Sequence, residues 1–120
     1  MTLSLIYGLI VAGVVAFQIA LLFGAPWGRL TQGGQVDGAL PWTRRLAAVA
    51  SASLLVAMAF AMRSAEGGWP GWPIWTAWAT LALSVASMLM NWITPSKPER
   101  LLWGPVTTVM FLLVAAILWS

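Results

Sequence analysis

The feature that most constrains this chain is a segment without charged residues, from Trp72 to Ile93, which is long enough to cross a bilayer as a helix. It carries a line of polar side chains spaced three or four residues apart, which places them on one face of that helix. Because an unpaired polar group among lipid tails is costly, we expect this face to turn toward other helices. The line consists of Thr76, Thr80, Ser84, Ser87 and Asn91.

The composition of the rest of the chain agrees with a membrane location. Of its 120 residues, 61% are hydrophobic and 8% are charged, whereas soluble domains are about half apolar and about a quarter charged. We therefore predict an all-α fold, an integral membrane four-helix bundle with antiparallel up-down-up-down order in a single transmembrane domain over 1–120. The predicted spans are 3–23, 46–62, 72–93 and 99–119.

The residue types that are missing restrict the chemistry of the protein. Cysteine and histidine are absent, so we expect no disulfide, no metal site and no nucleophile–base pair of the usual kinds. The three carboxylates fall outside the interiors of the predicted spans, and proton- or ion-coupled transporters usually place an ionisable group there. Asp37 fits an Asp-Gly turn, and Glu99 fits a capping box with Ser96. We therefore expect no catalytic residues and no cofactor.

The charged loops predict the orientation of the chain in its membrane. The first and third loops carry five of the six basic residues, and the second loop carries only Arg63. By the positive-inside rule, the first and third loops are cytoplasmic and both termini lie outside. Because the six basic residues are dispersed among loops, we do not expect nucleic-acid binding.

Small residues recur at helical spacing in the first two spans. Such residues allow the backbone of another helix to approach closely, so we predict helix packing along both ribbons. The first ribbon is Gly8, Ala12, Ala16 and Ala20, and the second is Ser53, Ala57 and Ala61.

Polar side chains from all four spans fall at one depth, about 10 Å from the cytoplasmic helix ends at a rise of about 1.5 Å per residue. This level has two interpretations, a polar pocket or vestibule within the bundle, or hydrogen bonds between helices that set their register. The predicted polar intramembrane cluster is Gln18, Ser51, Ser84, Ser87, Asn91 and Thr108.

The first loop, 24–45, is longer than most helix connections, and it is interrupted by glycine and proline, so we expect turns in it. Together with the third loop it forms a candidate cytoplasmic surface for a protein partner or a lipid headgroup. Interfacial anchors and topology charges are the alternative interpretation. The surface residues are Trp27, Arg29, Asp37, Trp42, Arg44, Arg45, Lys97 and Arg100.

Several short motifs resemble those of small uncharacterised bacterial four-span membrane proteins with a GAPWG-type first loop. The motifs are Gly24–Gly28, Gly33-Gly34, Leu40-Pro41, Met90-Asn91, Thr94-Pro95-Ser96, Glu99-Arg100 and Trp103-Gly104-Pro105. The resemblance implies a multi-pass protein of the bacterial inner membrane with a four-helix fold, and it implies no particular activity.

The leading functional hypothesis is a non-catalytic membrane subunit or assembly factor that acts through helix packing and its cytoplasmic loop surface. Its expected partners are the lipid bilayer and another membrane protein or a second copy of the chain. The first alternative is a small channel or carrier for a neutral or weakly polar solute. A more distant alternative is a lipid-modifying enzyme that uses Asp37 and Glu99.

The predicted orientation can be tested with a reporter at the carboxyl terminus. An alkaline phosphatase fused after Ser120 is expected to be active in bacterial cells, because this enzyme folds only on the periplasmic side. The same reporter inserted after Gly38, in the first loop, should be inactive. The opposite pattern would show that both termini face the cytoplasm.

Overall fold

Four long helices account for most of the chain in the computed structural model, which describes residues 2–120. They are α1 (Thr2–Leu22), α2 (Trp42–Ala65), α3 (Ile74–Ile93) and α4 (Lys97–Leu118). Each is long and apolar enough to span a membrane. The bundle is 42 Å long, which matches the about 40–45 Å of a bilayer with its headgroup regions. The prediction of an all-α, antiparallel four-helix membrane bundle is confirmed.

Helix α2 begins earlier than the predicted span, at Trp42 instead of residue 46. The carbonyl of Pro41 accepts hydrogen bonds of 3.0 Å from the N–H groups of both Arg44 and Arg45. A proline suits the start of a helix because its φ is already close to the helical value. The predicted span followed hydropathy alone and therefore omitted this polar first turn.

The helices pack as two antiparallel hairpins. Helix α1 lies along α2, α3 lies along α4, and contacts of α2 with α3 and of α1 with α4 close the bundle. We call the end that carries 23–41 and 94–96 the basic end, because five of the six Lys and Arg residues lie near it. The opposite end, which carries 66–73, is the terminal end.

The apolar core fills the half of the bundle next to the terminal end. Tyr7, Met62 and Val114 are completely buried there, and their close packing supplies dispersion energy that stabilises the bundle. A second cluster at the basic end packs the first loop onto the helices through Leu21, Leu40 and Ala48. The main cluster consists of Tyr7, Val11, Met58, Met62, Ala77, Met110, Val114 and Ile117.

The polar line of α3 faces the inside of the bundle, in agreement with its predicted direction. Thr80 and Ser84 are 2% and 4% exposed. Their hydroxyl groups bond to their own helix, since Thr80 Oγ1 donates to the carbonyl of Thr76 at 2.9 Å and Ser84 Oγ donates to that of Thr80 at 2.7 Å. Asn91 Nδ2 likewise donates to the Ser87 carbonyl at 2.7 Å. The donors of these three side chains therefore do not connect helices.

The small-residue ribbon of α1 lies mainly on the outer surface of the bundle. Ala12 and Ala16 are exposed, and a Cβ added at Gly8 would meet no atom within 4 Å. On α2 the ribbon turns inward only at Ala61, which is 2% exposed, whereas Ser53 is exposed. The half-buried members of the two ribbons are Gly8, Ala20 and Ala57.

The first loop is a folded segment with two short 3-10 turns, at Gly28–Leu30 and Gln32–Gly34. Its backbone packs closely, because a Cβ on Gly28 would lie 2.4 Å from the carbonyl oxygen of Val36. Gly34 has a φ of 68° and approaches Ser96, so it combines a left-handed backbone with a close contact. The loop thus adopts a defined path across the basic end.

Replacing Gly28 with alanine should destabilise the protein by about 1–3 kcal/mol, because the new methyl group would overlap backbone carbonyls that cannot move freely. Thermal unfolding in a mild detergent measures the loss. Gly13→Ala is the matched control, since open space surrounds that position and alanine favours a helix by about 1 kcal/mol over glycine. Equal melting temperatures for the two variants would contradict the loop packing described here.

Candidate functional site

The half of the bundle next to the basic end contains a cavity of about 740 Å³, which we call the cleft. Residues from all four helices and from the first loop line it, and most of the lining is apolar. A volume between about 300 and 1,000 Å³ is typical of sites for small-molecule ligands. The core and the cleft are thus centred in opposite halves of one bundle, and they meet at Met58 and Met110, which belong to both.

Five of the six residues in the predicted polar cluster line the cleft. The sixth, Thr108, does not, and it instead accepts a hydrogen bond of 2.8 Å from Trp92 Nε1. That bond joins α3 to α4. At Thr108 the second interpretation therefore applies, in which polar side chains form hydrogen bonds between helices. The five lining residues are Gln18, Ser51, Ser84, Ser87 and Asn91.

The cleft opens sideways between α2 and α3. On these two helices several lining side chains also lie on the outer surface, with exposures of 46% for Leu54, 39% for Leu83 and 66% for Met90. The lining side chains of α1 and α4 are buried or half-buried, as Gln18 and Val106 are. The opening therefore faces the side of the bundle that lipid surrounds when the helices span a membrane.

The first loop lines the cleft at the basic end through residues 31–33. Three hydrogen bonds connect this part of the chain to α4 and the residue before it. The N–H of Gly33 donates to Glu99 Oε2 at 3.0 Å, and Trp103 Nε1 donates to the carbonyl of Leu30 at 2.6 Å. The hydroxyl of Ser96 donates to the carbonyl of Arg29 at 2.9 Å.

Glu99 was predicted as a capping-box residue and named for the enzyme alternative, but it was not predicted as part of the polar cluster. Ser96 does cap the helix, since its Oγ accepts the Glu99 N–H at 3.4 Å. The Glu99 carboxylate, however, turns to Gly33, is 6% exposed and lines the cleft. Its position one helical turn before Trp103 is the signal that indicates a shared face.

Three of the five basic residues of the predicted loop surface donate hydrogen bonds to oxygen atoms other than those of Glu99. Arg44 Nη2 donates to Gln35 Oε1 at 2.8 Å, and Arg45 Nε donates to the carbonyl of Leu40 at 2.7 Å. Arg100 donates to the carbonyl of Thr94. Within residues 2–120, Glu99 therefore has no ion-pair partner.

The remaining residues of that surface are dispersed over the basic end. Trp27 stacks on Phe17 with ring centroids 5.6 Å apart, and Arg45 lies over the ring of Trp42 at 5.2 Å. The other three, Arg29, Asp37 and Lys97, are exposed. Asp37 does not line the cleft, so the two carboxylates named for the enzyme alternative are not both cleft residues.

A second carboxylate has a connecting role at the terminal end. The N–H of Ser4 donates to Glu66 Oε1 at 3.3 Å, which joins the start of α1 to the residue that follows α2. Burial raises the pKa of the Glu66 carboxyl, but hydrogen bonds, including those from Ser4, hold that pKa below its usual value. This contact lies at the opposite end of the bundle from the cleft.

Comparison of the chain with family models, curated proteins and solved structures finds no match in any of the three. Among residues 2–120, no group of three or more Asp, Glu, His or Cys side chains is arranged to hold a metal ion. The residues that line the cleft are therefore the basis for assigning its ligand.

Replacing Trp103 with phenylalanine tests how firmly the first loop is attached. Phenylalanine keeps an aromatic ring against Phe17 but leaves the Leu30 carbonyl without its donor, which should cost about 1 kcal/mol. Trypsin should then cut after Arg29 about fivefold faster. Trp75→Phe, at a residue that is 67% exposed, serves as the control, and equal cutting rates in both variants would show that this bond does not hold the loop.

Proposed function

We propose that this protein is a non-catalytic membrane protein that binds a small amphiphilic molecule, which enters the cleft sideways from the surrounding bilayer. The observation that supports this function is the lateral opening between α2 and α3 into a cavity of about 740 Å³. This proposal develops the alternative of a carrier for a weakly polar solute, with the solute reaching the site through lipid.

The distribution of polar groups favours an amphiphile over a water-soluble ligand. Most of the lining is apolar, and Leu54, Leu83 and Met90 at the opening would accompany a hydrocarbon tail. Among the polar lining residues, Gln18 is half-buried and Glu99 is buried, and these two would meet a headgroup. A mostly apolar pocket with a few convergent polar groups is the usual form of a small-molecule site.

The membrane is inferred from the motif resemblance, and the leaflet from the charged loops. We assign the protein to the bacterial inner membrane on the basis of its motif resemblance. We place the basic end on the cytoplasmic side, where loops rich in Lys and Arg are retained. In this orientation the cleft opens into the cytoplasmic leaflet, so its ligand would be exchanged with that leaflet.

A second candidate function is association with another membrane protein or a second copy of the chain. The observation that favours it is the outward position of the α1 ribbon, where Ala12 and Ala16 are exposed and the space beside Gly8 is open. Small residues on a lipid-facing surface allow another helix to pack closely. The two functions are compatible, because this ribbon and the opening of the cleft are on different helices.

The binding proposal can be tested with a photoactivatable dodecyl alcohol that carries a diazirine on its chain. The purified full chain in neutral maltoside micelles should be labelled on cleft residues, which peptide mass spectrometry can locate. The double variant Ser51→Phe with Ala86→Trp fills the opening from both sides, so labelling there should fall at least about tenfold if the cleft is the site.

The matched control is Ser53→Phe with Ala82→Trp, which adds the same side chains at exposed positions of α2 and α3 outside the cleft. Labelling in this control should equal that of the unaltered chain. Labelling spread evenly over all four helices would contradict the proposal. If two chains were cross-linked through the cleft and the probe no longer labelled it, the occupant would be a second copy of the chain. That result would also contradict the proposal.

A further inference from the structure

We infer that the cleft selects amphiphiles with a cationic, hydrogen-bond-donating headgroup, an alkylammonium, and that Glu99 is the residue that recognises it. This inference rests on the proposed function of the cleft and specifies the ligand class. It is carried by the surroundings of Glu99 and by the hydrogen-bonding state of the other polar groups in the lining.

The Glu99 carboxylate is buried and lacks a positive partner. It is 6% exposed, and the only hydrogen bond to its oxygens from residues 2–120 is the one from the Gly33 N–H to Oε2. Buried carboxylates are normally paired with a cation or held by several donors. Oε1 therefore remains available, and Glu99 lines the cleft.

Several polar side chains that line the cleft already use their donors within the protein. The hydroxyl of Ser84 donates to the carbonyl of Thr80, and that of Thr107 donates to the carbonyl of Trp103. Asn91 uses its amide nitrogen on Ser87, which leaves its carbonyl oxygen free to accept. A headgroup that brings its own N–H donors and a positive charge complements such a lining.

Two further groups favour an ammonium ion at this position. Trp103 lines the cleft one helical turn from Glu99, and tryptophan side chains attract cations. Gln18 Oε1 is a buried acceptor with no hydrogen-bond partner among residues 2–120, and leaving such an atom unsatisfied costs about 1–3 kcal/mol. Gln18 also lines the cleft, and a headgroup that donates hydrogen bonds supplies the chemistry that this acceptor lacks.

The lining also argues for a compact ammonium ligand instead of a phospholipid. No lysine or arginine lines the cleft, so a phosphate group would meet a carboxylate without a compensating positive charge. Anions beside a carboxylate are repelled, most strongly where water is excluded. We therefore assign the site to a single-chain alkylammonium.

Glu99 also holds the first loop, so its two roles must be separated. In Glu99→Gln the amide oxygen can still accept from the Gly33 N–H, whereas the negative charge is lost. The loop contact should persist, which the trypsin assay at Arg29 measures independently of any ligand. Asp37→Asn removes the same charge from an exposed residue that does not line the cleft, and it serves as the matched control.

The test is competition against the photoactivatable dodecyl alcohol in neutral maltoside micelles. The competitors share a dodecyl chain and carry an ammonium, a hydroxyl, a sulfate or a phosphoethanolamine headgroup, compared at equal mole fraction in the micelle. Dodecylammonium should compete at about tenfold lower mole fraction than dodecanol, and the sulfate should compete least. Glu99→Gln should reduce the preference for ammonium over alcohol to about unity, and Asp37→Asn should leave it unchanged.

The outcomes distinguish this inference from the function on which it rests. Equal competition by all headgroups, with labelling still confined to the cleft, would overturn the ammonium preference and leave amphiphile binding intact. A phosphoethanolamine headgroup that competes as well as ammonium would show that the assigned ligand class is wrong. The absence of specific labelling by the alcohol in the unaltered chain would instead overturn the binding function itself.

Discussion

The structure depends on one constraint, that polar groups inside an apolar bundle must find hydrogen-bond partners within reach. Along α3 the side chains of Thr80 and Ser84 meet this constraint with carbonyls of their own helix. Their donors consequently do not pull a neighbouring helix closer. The polar face of α3 can therefore border an open space as well as a packed one, and the rest of the architecture builds on this freedom.

The size of the facing side chains decides which half of the bundle is packed. Near the terminal end, Tyr7, Met58 and Met62 fill the space between the helices. Near the basic end, the helices that border the opening present Ser51 and Ser87, which are too short to fill it. The bundle is thus closely packed near the terminal end and contains a cavity near the basic end.

The first loop adds the chemistry that the helices lack. Its backbone needs partners at the basic end, and α4 supplies them through the Glu99 carboxylate and the Trp103 indole. The hydrogen bond from Gly33 also draws a carboxylate toward the cleft and away from the aqueous surface. Arg44, Arg45 and Arg100 donate to carbonyl and amide oxygens, and Glu99 has no ion-pair partner within residues 2–120. The candidate site therefore arises from the way the loop is attached.

Much of this organisation can be read from the sequence by itself. Length and hydropathy determine the four helices, since a backbone in hydrocarbon has few other ways to satisfy its hydrogen bonds. The periodicity of Thr76 to Asn91 determines which face of α3 turns inward, because side chains three or four residues apart share a face. Only the tertiary structure decided that Ser51 and Ser87 border a lateral opening, that Thr108 lies outside it and that Glu99 lies within it. These outcomes depend on how helices distant in sequence are rotated against one another and on a loop contact between Gly33 and Glu99, and local spacing contains no information about either.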